Sequence, residues 1–343
     1  MKKSVSVVAS KLFRPRSSPL IGLALGCLVL LLCLAVSISF GAAEISLSKI
    51  FAALTFFDGS ADNLIIRTVR VPRSLIIVFV GAALAVAGAL MQGLTRNPLA
   101  DPGILGIESG AALAVVVAVF FYGNFSANAY VGYALVGASA TAVLVYLFGS
   151  LGRSGLTPLN LTLAGAAVTT LLSSLTTGLL IVNQRTLEST RFWLAGSVAG
   201  RDFSLFIQVL PYLIVGFVMA FLISGQISLL NLGEDVARGL GQQTAWVKAI
   251  AAISVVLLAG SSVAIAGSVG FIGLVVPHVA RFSVGVDYRW ILPYAAIGGA
   301  ILLLIADIFA RLLVAPEELP LSVMTAMVGA PLFVYLARSQ VKE

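Results

Sequence analysis

"RSLIIVFVGAALAVAGALMQGLT", Arg73–Thr95, is 23 residues long and carries a single charge, at its first position. A helix needs about 20 apolar residues to cross the hydrocarbon of a bilayer. In that solvent only a helix or a closed barrel satisfies its own backbone. A barrel strand would alternate with period two over about ten residues, and this stretch does not alternate. Its small residues Gly81, Ala85, Gly88 and Ala89 recur at helical spacing instead, which lets helix backbones approach closely where lipid supplies no hydrophobic drive. The reading is a transmembrane helix near the centre of a bundle.

The same pattern recurs along the chain. Apolar runs broken by Gly, Pro, Asn and charge cover 19–40, 73–95, 107–122, 129–149, 158–183, 203–224, 243–266, 269–284, 290–314 and 320–337. This predicts an all-α integral membrane protein of about ten spans, the third and eighth short and the least sharply bounded. Of the 343 residues 59% are hydrophobic and 10% charged, against about 25% charged in soluble domains. The net charge of +7 suits basic loops beside anionic lipid headgroups and is not read as nucleic-acid binding. Cys27 and Cys33 both lie in the first run, so neither a disulfide framework nor a metal site is expected. That run exceeds the usual core of a signal peptide and reads as a retained span. The expected organisation is a basic cytoplasmic tail at 1–18, one transmembrane domain at 19–337 and a short cytoplasmic tail at 338–343.

An even number of spans leaves both termini on one side. With that side inside, thirteen Lys/Arg fall inside and eight outside, a modest agreement with the positive-inside rule. The discord comes from Arg67, Arg70 and Arg73, packed at the outer start of the second span. Pro72 suits the first turn of a helix, which would leave Arg73 beside the positive end of the helix dipole, a poor place for a cation. With Arg311 as a fourth outer cation, the cluster reads as a landing pad for an acidic partner. An offset of 179 residues places LAVAGAL (Leu84–Leu90) beside VAIAGSV (Val263–Val269), and Pro98 beside Pro277. Two halves of five spans each would be inverted relative to one another, as transporters commonly are.

Candidate chemistry is sparse. No GxxxxGK[ST] phosphate loop occurs, His278 is the lone histidine, and no catalytic or metal-ligating constellation is found. No group of mid-membrane carboxylates of the kind proton-coupled carriers keep is visible either. In the fifth span Thr162, Thr169, Ser173 and Thr176 share one helical face. They either bond their own backbone at i−4 or line a wetted pathway. Between the sixth and seventh spans "LLNLGEDVARGLGQQ", Leu229–Gln243, starts a short helical stretch with Glu234 and Asp235, places Arg238 one turn on, and can end it at Gly241. Acid first and base last complements the helix dipole, so this segment reads as a docking element.

At this point the chain resembles the permease subunits of ABC importers for iron-siderophores, haem and cobalamin. Five blocks carry the resemblance in order: Arg70–Ala111, "LGEDVARGLG" (Leu232–Gly241), "GFIGLVVPHVAR" (Gly270–Arg281), "ADIFAR" (Ala306–Arg311) and "ELPLSVMTAMVGAPLFVYL" (Glu318–Leu336). The resemblance implies a ten-helix subunit in the bacterial cytoplasmic membrane, paired with a second permease, identical or not. It further implies two ATPase subunits that hold ATP and Mg, and an external binding protein that delivers the chelate. No cofactor is expected on this chain. Residues matching the family's coupling helix are Gly233, Glu234, Asp235, Ala237, Arg238 and Gly241; those matching its outer docking arginines are Arg70, Arg73 and Arg311. The fifth and tenth spans are implied to contribute to the pathway. Glu108 and Ser268 depart from the pattern, standing where a small or hydroxylated residue and a proline are usual.

The expected function is passage of a ferric chelate, driven by partner ATPases, with haem or cobalamin as the alternative cargo. A secondary transporter and a non-transporting scaffold are the readings from other classes.

Overall fold

The computed structural model describes residues 18–40, 47–55, 59–123, 127–151, 157–201, 203–314 and 317–340. The predicted basic tail, apart from Ser18, and the last three residues lie outside them. The described residues form helices and turns with no strand.

The helices are α1 Pro19–Ser39, α2 Leu47–Thr55, α3 Ala61–Thr95, α4 Ile107–Tyr122, α5 Ala127–Ser150, α6 Pro158–Val182 and α7 Gln184–Leu194. They continue as α8 Phe203–Leu222, α9 Ser224–Asn231, α10 Glu234–Gly239, α11 Thr244–Ala266, α12 Ile272–Val284, α13 Tyr288–Leu312 and α14 Leu321–Gln340. The ten expected spans are α1, α3, α4, α5, α6, α8, α11, α12, α13 and α14. Among the described residues seven helices are long and apolar enough to cross a membrane, and α4, α12 and α14 supply shorter apolar segments.

The quoted stretch is the centre of the bundle, as its small residues predict. In the most apolar part of α3, 78% of residues are buried, against 17% in α6 and 11% in α1. Glycine decides how close its neighbours come. A Cβ on Gly81 would stand 2.4 Å from the Gly299 carbonyl oxygen of α13, and one on Gly88 only 2.0 Å from that of Gly273 in α12. Gln92, buried one turn further along the same helix, donates to the carbonyls of Gly273 and Leu274 at 3.2 Å.

One expectation changes. The second span does not start at Pro72: it starts at Ala61, capped by Ser60, whose side chain accepts from Asn63 N, and passes through a π segment at Ile66–Arg70. The wider turn closes with Val71 N donating to Ile66 O. Pro72 therefore sits inside a continuous 35-residue helix, and Arg73 is not at a free helix N-terminus. The dipole penalty expected for Arg73 does not arise.

The short spans have a structural cause. After α3 ends at left-handed Arg96 (φ 49°), the chain folds through a 3-10 turn at Pro102–Leu105 before α4 starts. After α11 it turns at Gly267 (φ 72°) and starts α12. The start of α12 packs against the middle of α3: a Cβ on Gly273 would lie 3.0 Å from Leu84 O, and 3.0 Å from Cδ of Pro102 in the turn before α4. Gly88 lies seven residues, about 10 Å, from the end of α3, so α12 begins inside the apolar slab. The offset of 179 does not match these ends, since Pro98 lies in the loop before α4 and Pro277 lies within α12.

Candidate functional site: a clasped helix on one face and an arginine knot on the other

On one face the segment predicted to dock folds as expected into α10. Glu234 clasps it to α11: one carboxylate oxygen receives Arg238 at 2.7 Å and the other receives Lys248 Nζ at 2.6 Å. The hydrogen bond from Lys248 is the main reason the Glu234 carboxyl is held below its ordinary range; Arg238 and Thr244 add to it. Ala237 turns its methyl into the protein and is fully buried. The helix ends where Gly241 adopts φ 83° and Gln242 N donates to Ala237 O. Asp235, Arg238 and Gly241 are exposed and Gly233 is half-buried with φ 125°.

The outward face of this segment is apolar. Leu232, Val236 and Leu240, four residues apart, are 66%, 49% and 65% exposed, and Trp246 is 67% exposed beside them. Beneath lies an open cleft of roughly 560 Å3 whose wall includes Arg96, Tyr146, Glu234, Arg238 and Lys248. Lys248 and Thr244 have no motif in the sequence to mark them; only their position in the first turns of the seventh span, within reach of Glu234, could have pointed there.

On the opposite face the arginines are brought together, but not as free charges. Arg70 is 6% exposed, and its Nη1 donates to the Ile38 and Ser39 carbonyls at the end of α1. Arg73 grips Asp307 through Nε and Nη2 at 3.0 and 2.7 Å and reaches both Glu318 oxygens through Nη1 at 2.9 Å. Arg311 pairs with Asp307 Oδ2 at 2.9 Å and donates to the carbonyls of Ser37 and Phe40. Arg67 Nε donates to Ala53 O in α2. Asp307 itself has no exposed side-chain area. Desolvating a charge is tolerable only when it is paired and hydrogen-bonded, and Asp307 holds two cations. The sequence reading quoted "ADIFAR" without assigning Asp307 this part, because nothing in a linear sequence shows which helix ends meet.

The hydroxyl face of α6 divides. Thr162 and Thr176 donate to the carbonyls of Pro158 and Leu172, one turn back. Ser173 is exposed, and the Thr169 hydroxyl is buried without a hydrogen-bond partner. His278 packs edge-on against the Phe282 ring, and no group of three or more metal-ligating side chains occurs among the described residues.

Among the described residues, nine apolar helices around a packed central one, with a clasped apolar-faced helix at one surface, describe a polytopic membrane protein. The chain belongs to the FecCD transport family, whose model matches residues 28–339. It is 51% identical over 318 residues to the siderophore transport system permease YfiZ of Bacillus subtilis (strain 168), covering 92% of this chain and 96% of that one. It is 42% identical over 325 residues to the Fe(3+)-citrate import system permease YfmD of the same organism, covering 95% and 96%. A solved structure described as an inward-facing metal-chelate type ABC transporter is 32% identical and superposes with a TM-score of 0.83, covering 94% of this chain and all of that one.

Proposed function

We propose that this chain is the permease subunit of an ATP-driven importer that carries a ferric siderophore into the bacterial cytoplasm. The observation that carries it is α10: a short helix clasped to α11 through Glu234 and Lys248 and presenting Leu232, Val236 and Leu240 outward. A helix shown this way to water fits a groove on a second protein. The siderophore and ferric-citrate cargoes in the relatives' names support the cargo class. Cargo that arrives wrapped in a chelator asks for no carboxylate or imidazole ligands from the permease.

In this reading both termini and α10 face the cytoplasm, and two ATPase subunits, which hold ATP and Mg, seat on Gly233, Glu234, Asp235, Ala237, Arg238 and Gly241. A second permease subunit pairs with this one, and the pathway runs past Thr162, Thr169, Ser173 and Thr176. An external binding protein docks over Arg70, Arg73 and Arg311. The engagement of Arg73 with Asp307 and Glu318 changes how that docking works: the acid of the partner competes with Glu318, the 36% exposed member of the knot, for Arg73.

The test is uptake of iron-labelled siderophores, ferric citrate, haem and labelled cobalamin in cells with and without this chain. Loss of siderophore uptake alone is the expected result. Loss of haem or cobalamin uptake instead moves the cargo, and unchanged uptake of all four overturns the reading.

A further inference from the structure

Glu108 stands in the first turn of the apolar helix α4, just after the turn whose Pro102 meets Gly273 of α12. One of its oxygens accepts from Ser268 Oγ at 2.5 Å, across 160 residues of sequence. No lysine or arginine pairs with it among the described residues. An ionisable side chain within an apolar helix is costly and as a rule functional, and this one is a lone carboxylate in its helix, not one of a group. The start of α4 offers the carboxylate partial compensation through the helix dipole. Glu108 and Ser268 are also the two positions at which the sequence departs from the pattern it resembles, and the structure bonds them to each other.

What this bond joins is informative. Glu108 follows the loop 96–106, whose first residue, Arg96, lines the cleft beside Glu234 and Lys248. Ser268 lies in the turn after α11, pressed against the end of α7: a Cβ on Gly196 would stand 2.1 Å from the Ser268 carbonyl oxygen. Gly196 O in turn accepts from Leu321 N, and Ala195 O from Ser322 Oγ, at the start of α14. Trp193 Nε1 closes the junction onto Ala264 O of α11. One short hydrogen bond thus connects the segment leading from the α10 cleft with the meeting point of α7, α11 and α14.

We propose that the Glu108–Ser268 hydrogen bond is a transmission strut and that Glu108 is a positioning residue for transport. It carries displacement of the 96–106 loop, imposed at the α10 face, to the turn that seats α7 and α14. The inference rests on the reading of the chain as an ATP-driven permease. Coupling between distant sites is carried by chains of packed side chains and hydrogen bonds, and this bond is the link that joins the two segments.

The experiment uses the full complex with its ATPase, partner permease and binding protein in proteoliposomes. ATP hydrolysis and uptake are read in the same preparation, with radio-iron ferric hydroxamate, ferric catecholate and ferric citrate as probes. Ser268→Ala and Glu108→Ala should each lower uptake per ATP hydrolysed about tenfold while ATP hydrolysis persists. The double variant should be no worse than either single one, the signature of a shared interaction. Glu108→Gln keeps an amide oxygen that accepts from Ser268 and should retain the wild-type ratio. If Glu108→Ala does not assemble, Ser268→Ala and Glu108→Gln decide the matter. A normal ratio in Ser268→Ala, additive losses in the double variant, or a Glu108→Gln as impaired as the alanine each overturn the strut. A wild-type complex that hydrolyses ATP but takes up none of the probes overturns the importer reading itself.

Discussion

Arg73 Nη2 lies 2.7 Å from Asp307 Oδ1, an ion pair that ties α3 to the far end of α13 across 234 residues. Asp307 is wholly buried between this guanidinium and that of Arg311. Removing one partner of a buried ion pair leaves uncompensated charge, at a cost of about 3–5 kcal/mol. Asp307→Ala should therefore destabilise the purified chain by about that amount, read as detergent-solubilised unfolding, with Asp307→Asn milder because its amide oxygen still accepts from Arg73. An unshifted transition for Asp307→Ala would mean that the two arginines find other partners.

Glu318 is the accessible member of the same knot. Glu318→Gln weakens the internal competitor for Arg73, so binding-protein affinity should rise and become more sensitive to salt, as charge-steered contacts are. Titration of the binding protein onto the reconstituted permease at two ionic strengths measures this. Unchanged affinity and salt slope would place docking elsewhere.

The clasp on α10 is pH-sensitive in a defined direction. Because Lys248 holds the folded-state pKa of Glu234 below its ordinary value, the clasp stabilises at full strength above the ordinary carboxylate value of about 4.3. That contribution is lost as pH falls through the depressed folded value. The protection factors of the amides across 233–241, with the intrinsic pH dependence of exchange divided out, should stay level from neutral pH down to about 4.3 and fall below it. Glu234→Gln should raise exchange already at neutral pH and remove the acid-dependent step.

Val236 and Leu240 stand 49% and 65% exposed on α10, and neither supports the core. Val236→Asp or Leu240→Asp should cut co-purification of the ATPase about tenfold or more without lowering the unfolding midpoint of the isolated chain. A matched fall in stability would instead mark the stripe as structural.

Gly88 tolerates no side chain, since a Cβ there would stand 2.0 Å from the Gly273 carbonyl oxygen, whereas nothing lies within 4 Å of one on Gly178. Gly88→Val should abolish folded expression, measured by fluorescence-detected size exclusion. Gly178→Ala should be neutral or stabilising by up to about 1 kcal/mol.

Much of this architecture is legible in the sequence because lipid imposes a simple rule: each crossing must be a long apolar run. Small residues at helical spacing in Arg73–Thr95 then single out the helix that is packed on all sides. The short third and eighth spans show in the sequence as an oddity, but their cause does not. The eighth starts against Gly88 because the turn at Gly267 folds inward, a tertiary fact. The arginines were visible and the partners of Arg73 were not, since Asp307 and Glu318 are over two hundred residues away from it, although Asp307 stands one turn from Arg311. The α10 site was the most legible, because its acid, base and glycine lie within eight residues, whereas Lys248, which completes the clasp, belongs to the next helix.

The π segment at Ile66–Arg70 has a further consequence, one of angular phase. An α-helix advances about 100° per residue, and a π turn carries one residue more than an α turn. The arm Ala61–Ile65 and the span Val71–Thr95 are thus clocked separately, which lets Arg67 meet Ala53 O while Arg73 faces Asp307. Deleting a single residue within Ile66–Arg70 would remove the extra residue and leave the arm and the span in phase, whereas forcing the segment to α pitch at its present length would swing the arm by about 100° and carry Arg67 off α2.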